Sequence, residues 1–443
     1  MFTQIKRLLW RLIQLLGNLQ LAIILLLTIA CISSLGTIIE QEKPITFYEL
    51  NYPITKPVLG FINSNIIINL GLNHVYTTNW FVILISIFGI SLMSCTFARQ
   101  IPSLKLARLW KFLKQDTNFK KPNMTFRLAN VNLNEFSYLL RKEQYNVLQE
   151  GPYLYAYKGL IGKIGPILVH CSIILILIGS LLGSFLGFTL QELVPKKEAF
   201  HFQNVINSGP LSYIRQDIEG YVHDFKIAYS EEGTIDQFYS EIGILDSNFN
   251  NKTRKTIFVN EPLRYDGITF YQTDWSIKSI ETVVNENQKF EIAVKEINLP
   301  DKSRFWIGIT PLTDKVLLVI EDLTGKCLLY SDKQILLGES EIGDKMFING
   351  SCLRITKFLP STGLQIRSDP GIFLVYGGFL FLILSVILSY ISYFQIWAVK
   401  KDEYLYLHGN TNRAVYFFEK TLLEMLTKLN ESKKDVYKNV KKN

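Results

Sequence analysis

The sequence predicts a mixed membrane protein, with four transmembrane α-helices and one large, mostly-β domain outside the bilayer. Three observations predict it. Four apolar runs carry no Lys, Arg, Asp or Glu, and each is long enough to cross about 30 Å of hydrocarbon at 1.5 Å per helical residue. Basic residues concentrate in alternate loops. A long segment between the third and fourth runs is written in short strand patterns and turn residues. The averages agree. Charged residues are 19% of the 443, below the roughly 25% of soluble chains. Mean hydropathy is +0.16, low for a chain that is mostly membrane. A purely soluble protein, an all-helical transporter and a disordered chain are excluded.

Residues 1–18 hold Lys6, Arg7 and Arg11 and no acid. Ile5, Leu8, Leu9, Leu12 and Leu16 recur at helical spacing, which predicts an amphipathic helix at the headgroups. The first span is 19–39. It is too long for a cleaved signal peptide, and no A-x-A site follows it. No Arg/Ser-rich transit peptide is readable either, so an organellar member is expected to be made inside its organelle. Residues 40–79 form a loop, and 80–98 the second span.

The loop 99–163 has 12 Lys+Arg against 4 Asp+Glu. Within it Leu106, Leu109, Trp110 and Leu113 follow helical spacing, with Lys105, Arg108, Lys111 and Lys114 between them, and predict a second interfacial helix. The third span is 164–188, the β-rich domain 189–369 and the fourth span 371–397. The tail 398–443 has 10 basic residues against 6 acidic. In it Val415, Phe418, Leu422, Met425, Leu426 and Leu429 share one helical face, either packed on a neighbour or lying on the membrane.

One set of segments nets +15 and the other −7, which gives the chain's +8. The positive-inside rule then puts both termini and 99–163 on the inner side and 189–369 outside. The basic excess belongs to topology, so a nucleic-acid partner is not expected.

The outer segment reads as a sandwich or barrel-like domain. Lys315 to Ser331 predicts a hairpin around Asp322 to Lys326. Tyr221 to Tyr239 predicts another, turning at Glu231 to Gly233. Residues 255–275 give an apolar strand, an Asn-Glu-Pro break, an Asp-Gly turn and an aromatic strand. No phosphate loop, G-x-S-x-G or H-E-x-x-H is present, so an independent enzyme is a poor reading.

Of five cysteines, Cys31, Cys95 and Cys171 lie in spans, where Cys is usually a small hydrophobe. Cys327 and Cys352 lie in the outer segment, as a disulfide or as two free thiols. No C-x-x-C exists, so thioredoxin-type redox chemistry is unsupported, and without C-x-x-C-H the chain is not a c-type cytochrome. His170 is the one histidine in a span, about seven residues past Lys163. Ionisable groups in membranes are costly and are functional candidates by default. Two readings stay open, a structural histidine bonded to a neighbouring helix and a ligand or proton carrier. The same helix carries Gly179, Gly183 and Gly187, a small-xxx-small stripe that reads as packing, on a face away from His170.

Four motifs resemble the ResB/CcsB membrane proteins of System II cytochrome c maturation, including their chloroplast members. They are 19–41 (LQLAIILLLTIACISSLGTIIEQ), 163–172 (KIGPILVHCS), 260–275 (NEPLRYDGITFYQTDW) and the Asp-Pro-Gly start and aromatic end of 369–397. One departure is visible, Glu40 where the family has Pro. The resemblance implies haem as a transient cofactor, shared with a CcsA/ResC-type partner that carries a Trp-rich haem-handling loop. The pair carries haem outward and presents it to apocytochromes c. His170 matches the family's intramembrane histidine, an axial ligand of the haem iron. Asn260, Pro262, Leu263, Gly267, Tyr271 and Gln272 belong to the outer-domain motif, with no role assigned. The chain is then a subunit of a haem-delivery complex rather than an enzyme by itself. Its Ile, Asn and Lys bias suggests a plastid genome and a thylakoid membrane, with a cyanobacterial or other bacterial membrane as the alternative. A membrane-anchored adaptor whose outer domain binds a client without handling haem is the competing function.

Overall fold

A computed structural model describes residues 2–55, 57–58, 60, 62–113, 125–231, 235–245, 251–298, 304–312, 315–333, 335–348 and 350–440. The chain divides into two compact units, Met1–Leu181 with Ile372–Asn443, and Leu182–Gly371.

The first unit holds four helices long and apolar enough to cross a membrane, the third of which runs on into the second unit: Leu19–Ile38, Asn79–Arg108, Ile161–Leu186 and Ile372–Ser389. An amphipathic helix, Phe2–Leu16, precedes them. Ile5, Leu8 and Leu12 remain exposed along it. Residues between the first two spans fold into a small cluster in which Ile39, Tyr48, Ile67 and Val75 are buried. The Tyr48 hydroxyl donates to the Glu40 carbonyl, and the Gln41 side chain bonds the carbonyls of Ile39 and Leu72 and the Val75 amide. Glu40 therefore sits in a turn that side chains hold closed.

The second span departs from expectation. Its helix does not end at residue 98 but passes through a π-helical turn, Thr96–Gln100, into Ile101–Arg108. The Ile101 amide reaches back to the Thr96 carbonyl, a bond one residue longer than the α-helical one. Pro102 supplies the cause, because its ring lacks an N–H and clashes with the carbonyl four residues back in a regular helix. The Lys105–Arg108 stretch is thus the end of the second span rather than a separate surface helix. Leu109, Trp110, Lys111 and Leu113 lie beyond it without helical structure, and Lys114 lies outside the described residues.

The fourth span is shorter than the apolar run. Its helix stops at Ser389, and 394–397 open the strand Phe394–Lys401. Eighteen residues already suffice for about 27 Å. Apolar content continues past Ser389 because the strand is itself buried. It pairs with Tyr404–Thr411 and with Tyr153–Lys158. Thr125–Ala129 and Asn146–Glu150 complete a five-stranded antiparallel sheet. Leu133–Lys142 and Val415–Val440 cover it, burying Phe136, Leu140, Phe418, Leu422 and Met425 against Leu154, Ile396, Leu405 and Leu407. The segments read as a basic loop and a tail are therefore one folded α/β module, and the apolar face of the last helix packs on its neighbours. The module is tied to the second span: the Tyr393 hydroxyl donates to the Ala107 carbonyl at 3.0 Å and the Trp397 indole N–H to the Lys111 carbonyl at 2.8 Å.

The second unit is two antiparallel sheets. The larger is built on Ile268–Val284 paired along its length with Ser351–Ser368. The smaller comprises Ala199–Phe200, Glu219–Tyr229, Ile235–Leu245 and Asn251–Ile257. Leu190, Phe270, Leu364 and Ile366 of the large sheet bury against Val222, Ile242, Ile244 and Ile257 of the small one. This is a sandwich with no closed barrel among the described residues. Leu317–Ile320 and Lys326–Tyr330 form the expected hairpin. Glu219–Tyr229 and Ile235–Leu245 form the other, although Gly233 of its turn lies outside the described residues.

Candidate functional site

His170 lies in the third span, nine residues past its start, and is half-buried. Its face is not open. It meets the π-helical turn of the second span, where Thr96 Oγ1 lies 3.0 Å from Nδ1 and Gln100 Nε2 lies 3.1 Å from Nε2. Thr96 and Gln100 are four residues apart and so share a face. Thr96 Oγ1 also donates to the Leu92 carbonyl at 2.9 Å. Gln100 Oε1 is buried and has no hydrogen-bond partner. Both groups on the ring are neutral. The sequence singled out His170 but neither of its partners. The only local signal for them was Pro102, which distorts the helix that carries both.

Close approach around this histidine's helix involves two further glycines as well as the stripe. A Cβ at Gly162 would stand 1.8 Å from the Ile391 carbonyl oxygen, and one at Gly165 2.4 Å from Ser389 Cα. Those two let the end of the fourth span lie on the start of the third. Of the stripe, Gly179 is buried, a Cβ at Gly183 would meet the Asp369 carboxylate at 2.6 Å, and one at Gly187 would meet the Gly183 and Ser368 carbonyls. A cavity of about 430 Å³ lined by Val169, Val386, Ser389, Tyr390 and Arg413 lies beside the same helix end.

The 260–275 motif is explained by folding. Asn260 takes a left-handed backbone, φ 70°, at the break between strands. The Pro262 carbonyl accepts from Lys255 Nζ. Leu263 is buried in the sandwich core. Asp266 and Gly267, at φ 49° and 77°, make the tight two-residue turn between Leu263–Tyr265 and Ile268–Val284. Tyr271 is half-buried in the strand that follows. Gln272 is buried, and its Oε1 accepts from the hydroxyls of Ser240, in the small sheet, and Thr362, in the large one. It stitches the two sheets together.

Cys327 and Cys352 are both free thiols. Burial pushes the Cys327 thiol up to about 12, which leaves it protonated and inert. The remaining histidines have local partners: His74 with Asn73, His201 with Glu219, His408 with the Trp397 ring, and His223 against Tyr221. Among the described residues no group of three or more His, Cys, Asp or Glu side chains is placed to hold a metal ion.

Comparison with known proteins decides the family. Residues 19–322, more than half of the chain, match the ResB-like family. This chain belongs to that family. The matched stretch includes His170 and its two partners. Similar full-length relatives include "Cytochrome c biogenesis protein Ccs1" of Rhodomonas salina, 52% identical over 95% of this chain and 97% of that protein. The Ccs1 protein of Porphyra purpurea is 44% identical over 94% and 95%. "Cytochrome c biogenesis protein CcsB" of Crocosphaera subtropica is 43% identical over 96% and 95%. ResB-like membership and the four apolar helices make this a membrane protein with relatives in algae and cyanobacteria.

Proposed function

We propose that this ResB-like chain serves cytochrome c biogenesis by carrying haem. It works with a CcsA/ResC-type membrane partner, in a thylakoid or cyanobacterial membrane with the β sandwich on the outer side, and presents haem there to apocytochromes c. One observation carries the reading: a histidine set in a spanning helix, facing a hydroxyl and an amide, beside a buried amide oxygen with no partner. A neutral imidazole nitrogen is what haem iron takes as an axial ligand. The residues fit that group. His170 would supply one ligand and the partner the other, while the apolar span faces would receive the macrocycle. The names of the relatives support the general role.

The test is haem per complex, read from the Soret band, in wild type, His170→Ala, and His170→Ala with free imidazole. His170→Ala accumulates, loses haem and fails to mature cytochromes. Imidazole, which replaces the ring without its tether, restores part of both. Equal haem in all three would move the weight to the adaptor function, in which the two hydrogen bonds to His170 are purely structural.

A further inference from the structure

We propose that Thr96 and Gln100 are positioning residues that present Nε2 of His170 as the lone-pair nitrogen, Thr96 by holding the ring proton on Nδ1 and Gln100 by covering Nε2 until iron displaces it. The proposal rests on haem ligation by His170.

The argument is a count of protons. A threonine hydroxyl has one hydrogen and two lone pairs. Thr96 gives its hydrogen to the Leu92 carbonyl at 2.9 Å. With that hydrogen on the carbonyl, the 3.0 Å contact with His170 Nδ1 uses an oxygen lone pair, and Nδ1 carries the proton. A neutral imidazole protonated at Nδ1 has its lone pair on Nε2. Gln100 Nε2 stands 3.1 Å from that atom and donates to it. The reverse orientation of the amide would set its oxygen against the lone pair, two acceptors face to face.

The orphaned oxygen follows from this geometry. With its N–H₂ committed to His170, the amide turns Gln100 Oε1 into a buried place with no partner. Gln100 is thus a half-satisfied cap. It keeps the ligand nitrogen bonded while iron is absent. When iron takes that nitrogen the amide loses one hydrogen bond, and its carbonyl is released from a site where it had none.

Thr96 occupies the place that a carboxylate or a backbone carbonyl takes behind most metal-bound histidines, where the outer partner fixes the tautomer and raises basicity. A hydroxyl fixes the tautomer with less push. That suits a ligand that must take haem and give it up. The π-helical turn is what brings both residues to the ring, and such turns recur at functional sites.

The experiment uses the full chain purified with its membrane partner. ¹⁵N spectra of histidine-labelled, haem-free protein are assigned by the signal missing in His170→Ala, and ferric haem is then titrated in. In wild type His170 carries its proton on Nδ1. Thr96→Val, equal in shape but without the acceptor, moves the proton to Nε2 and weakens haem binding about ten- to a hundredfold. Thr96→Ser restores both. Gln100→Leu keeps the proton on Nδ1 and tightens haem binding severalfold, with Gln100→Met as the second variant should the first not accumulate. A proton on Nε2 in wild type, an unchanged tautomer in Thr96→Val, or weaker binding in the Gln100 variants would overturn the proposal. The two failures are distinguishable. Equal haem in wild type and His170→Ala removes the ligand itself. Haem that depends on His170 but is indifferent to Thr96 and Gln100 removes only their roles.

Discussion

Gln272→Leu tests whether the polar stitch between the two sheets stabilises the β sandwich. Gln272 is 4% exposed, while Ser240 and Thr362 are fully buried. The amide makes three bonds: two hydroxyls donate to Oε1, and Nε2 donates to the Asp274 carbonyl at 2.7 Å. Leucine fills a similar volume, so the change is a loss of polar partners rather than a cavity. The Ser240 and Thr362 oxygens lie 2.7 Å apart, so one hydroxyl can donate to the other after the change. That leaves one hydroxyl proton without an acceptor and the Asp274 carbonyl without the amide. A buried polar group stripped of its partner costs about 1–3 kcal/mol. The expected loss is therefore about 2–5 kcal/mol, a large part of the roughly 5–15 kcal/mol of a domain. Pulse proteolysis of the full chain across a urea series, following cleavage within 189–369, reads the change. Removing the stranded hydroxyls as well, with Ser240→Ala and Thr362→Val, recovers about half of the loss, because the Asp274 carbonyl still lacks its amide. A loss below about 0.5 kcal/mol for Gln272→Leu, with the triple variant no better, would refute the reasoning.

Four further outcomes are expected. Gly165→Ala drives a methyl into the backbone at Ser389 and costs about 1–3 kcal/mol by overpacking, visible as reduced accumulation and a lower unfolding temperature in detergent; an unchanged melt would mean that the two helix ends separate freely. A membrane-impermeant maleimide at pH 8 labels Cys352 and spares Cys327 until the sandwich unfolds, and mass spectrometry of the two peptides decides it. Cys327 keeps in the folded state a proton that the unfolded chain releases above 9.0, so its contribution to stability is complete below pH 9 and is lost as the pH rises toward about 12; Cys327→Ser, which places a hydroxyl in the apolar core, flattens that alkaline decline in urea titrations. Protease added at the inner face cuts within 99–163 and spares 260–275, and cleavage of the sandwich from that side would invert the topology.

The sequence by itself determined what depends on neighbours along the chain. A run of apolar residues reports its own hydrophobicity, so all four spans were legible, and so was the charge asymmetry of their loops. The Asp266–Gly267 turn was legible because its dihedral angles select those residue types locally. Alternating apolar residues gave the two hairpins. Boundaries failed where apolar content outlasts the helix: 394–397 read as membrane because a short strand with large apolar side chains looks, residue by residue, like the end of a spanning segment.

The tertiary structure alone decided the pairings between distant segments. Nothing periodic in 125–158 announces that it shares a sheet with 394–411, because a strand's partner is chosen by hydrogen bonding and burial across the whole module. The sandwich likewise depends on Gln272 meeting Ser240 and Thr362, 32 and 90 residues away. His170 shows the division in one residue. Its cost in lipid made it a candidate from sequence, but the residues that meet its ring nitrogens lie 70 and 74 positions away. They face it only because Pro102 loosens one turn of another helix. Local physics singled out the histidine, and the packing of two helices gave it its hydrogen-bond partners.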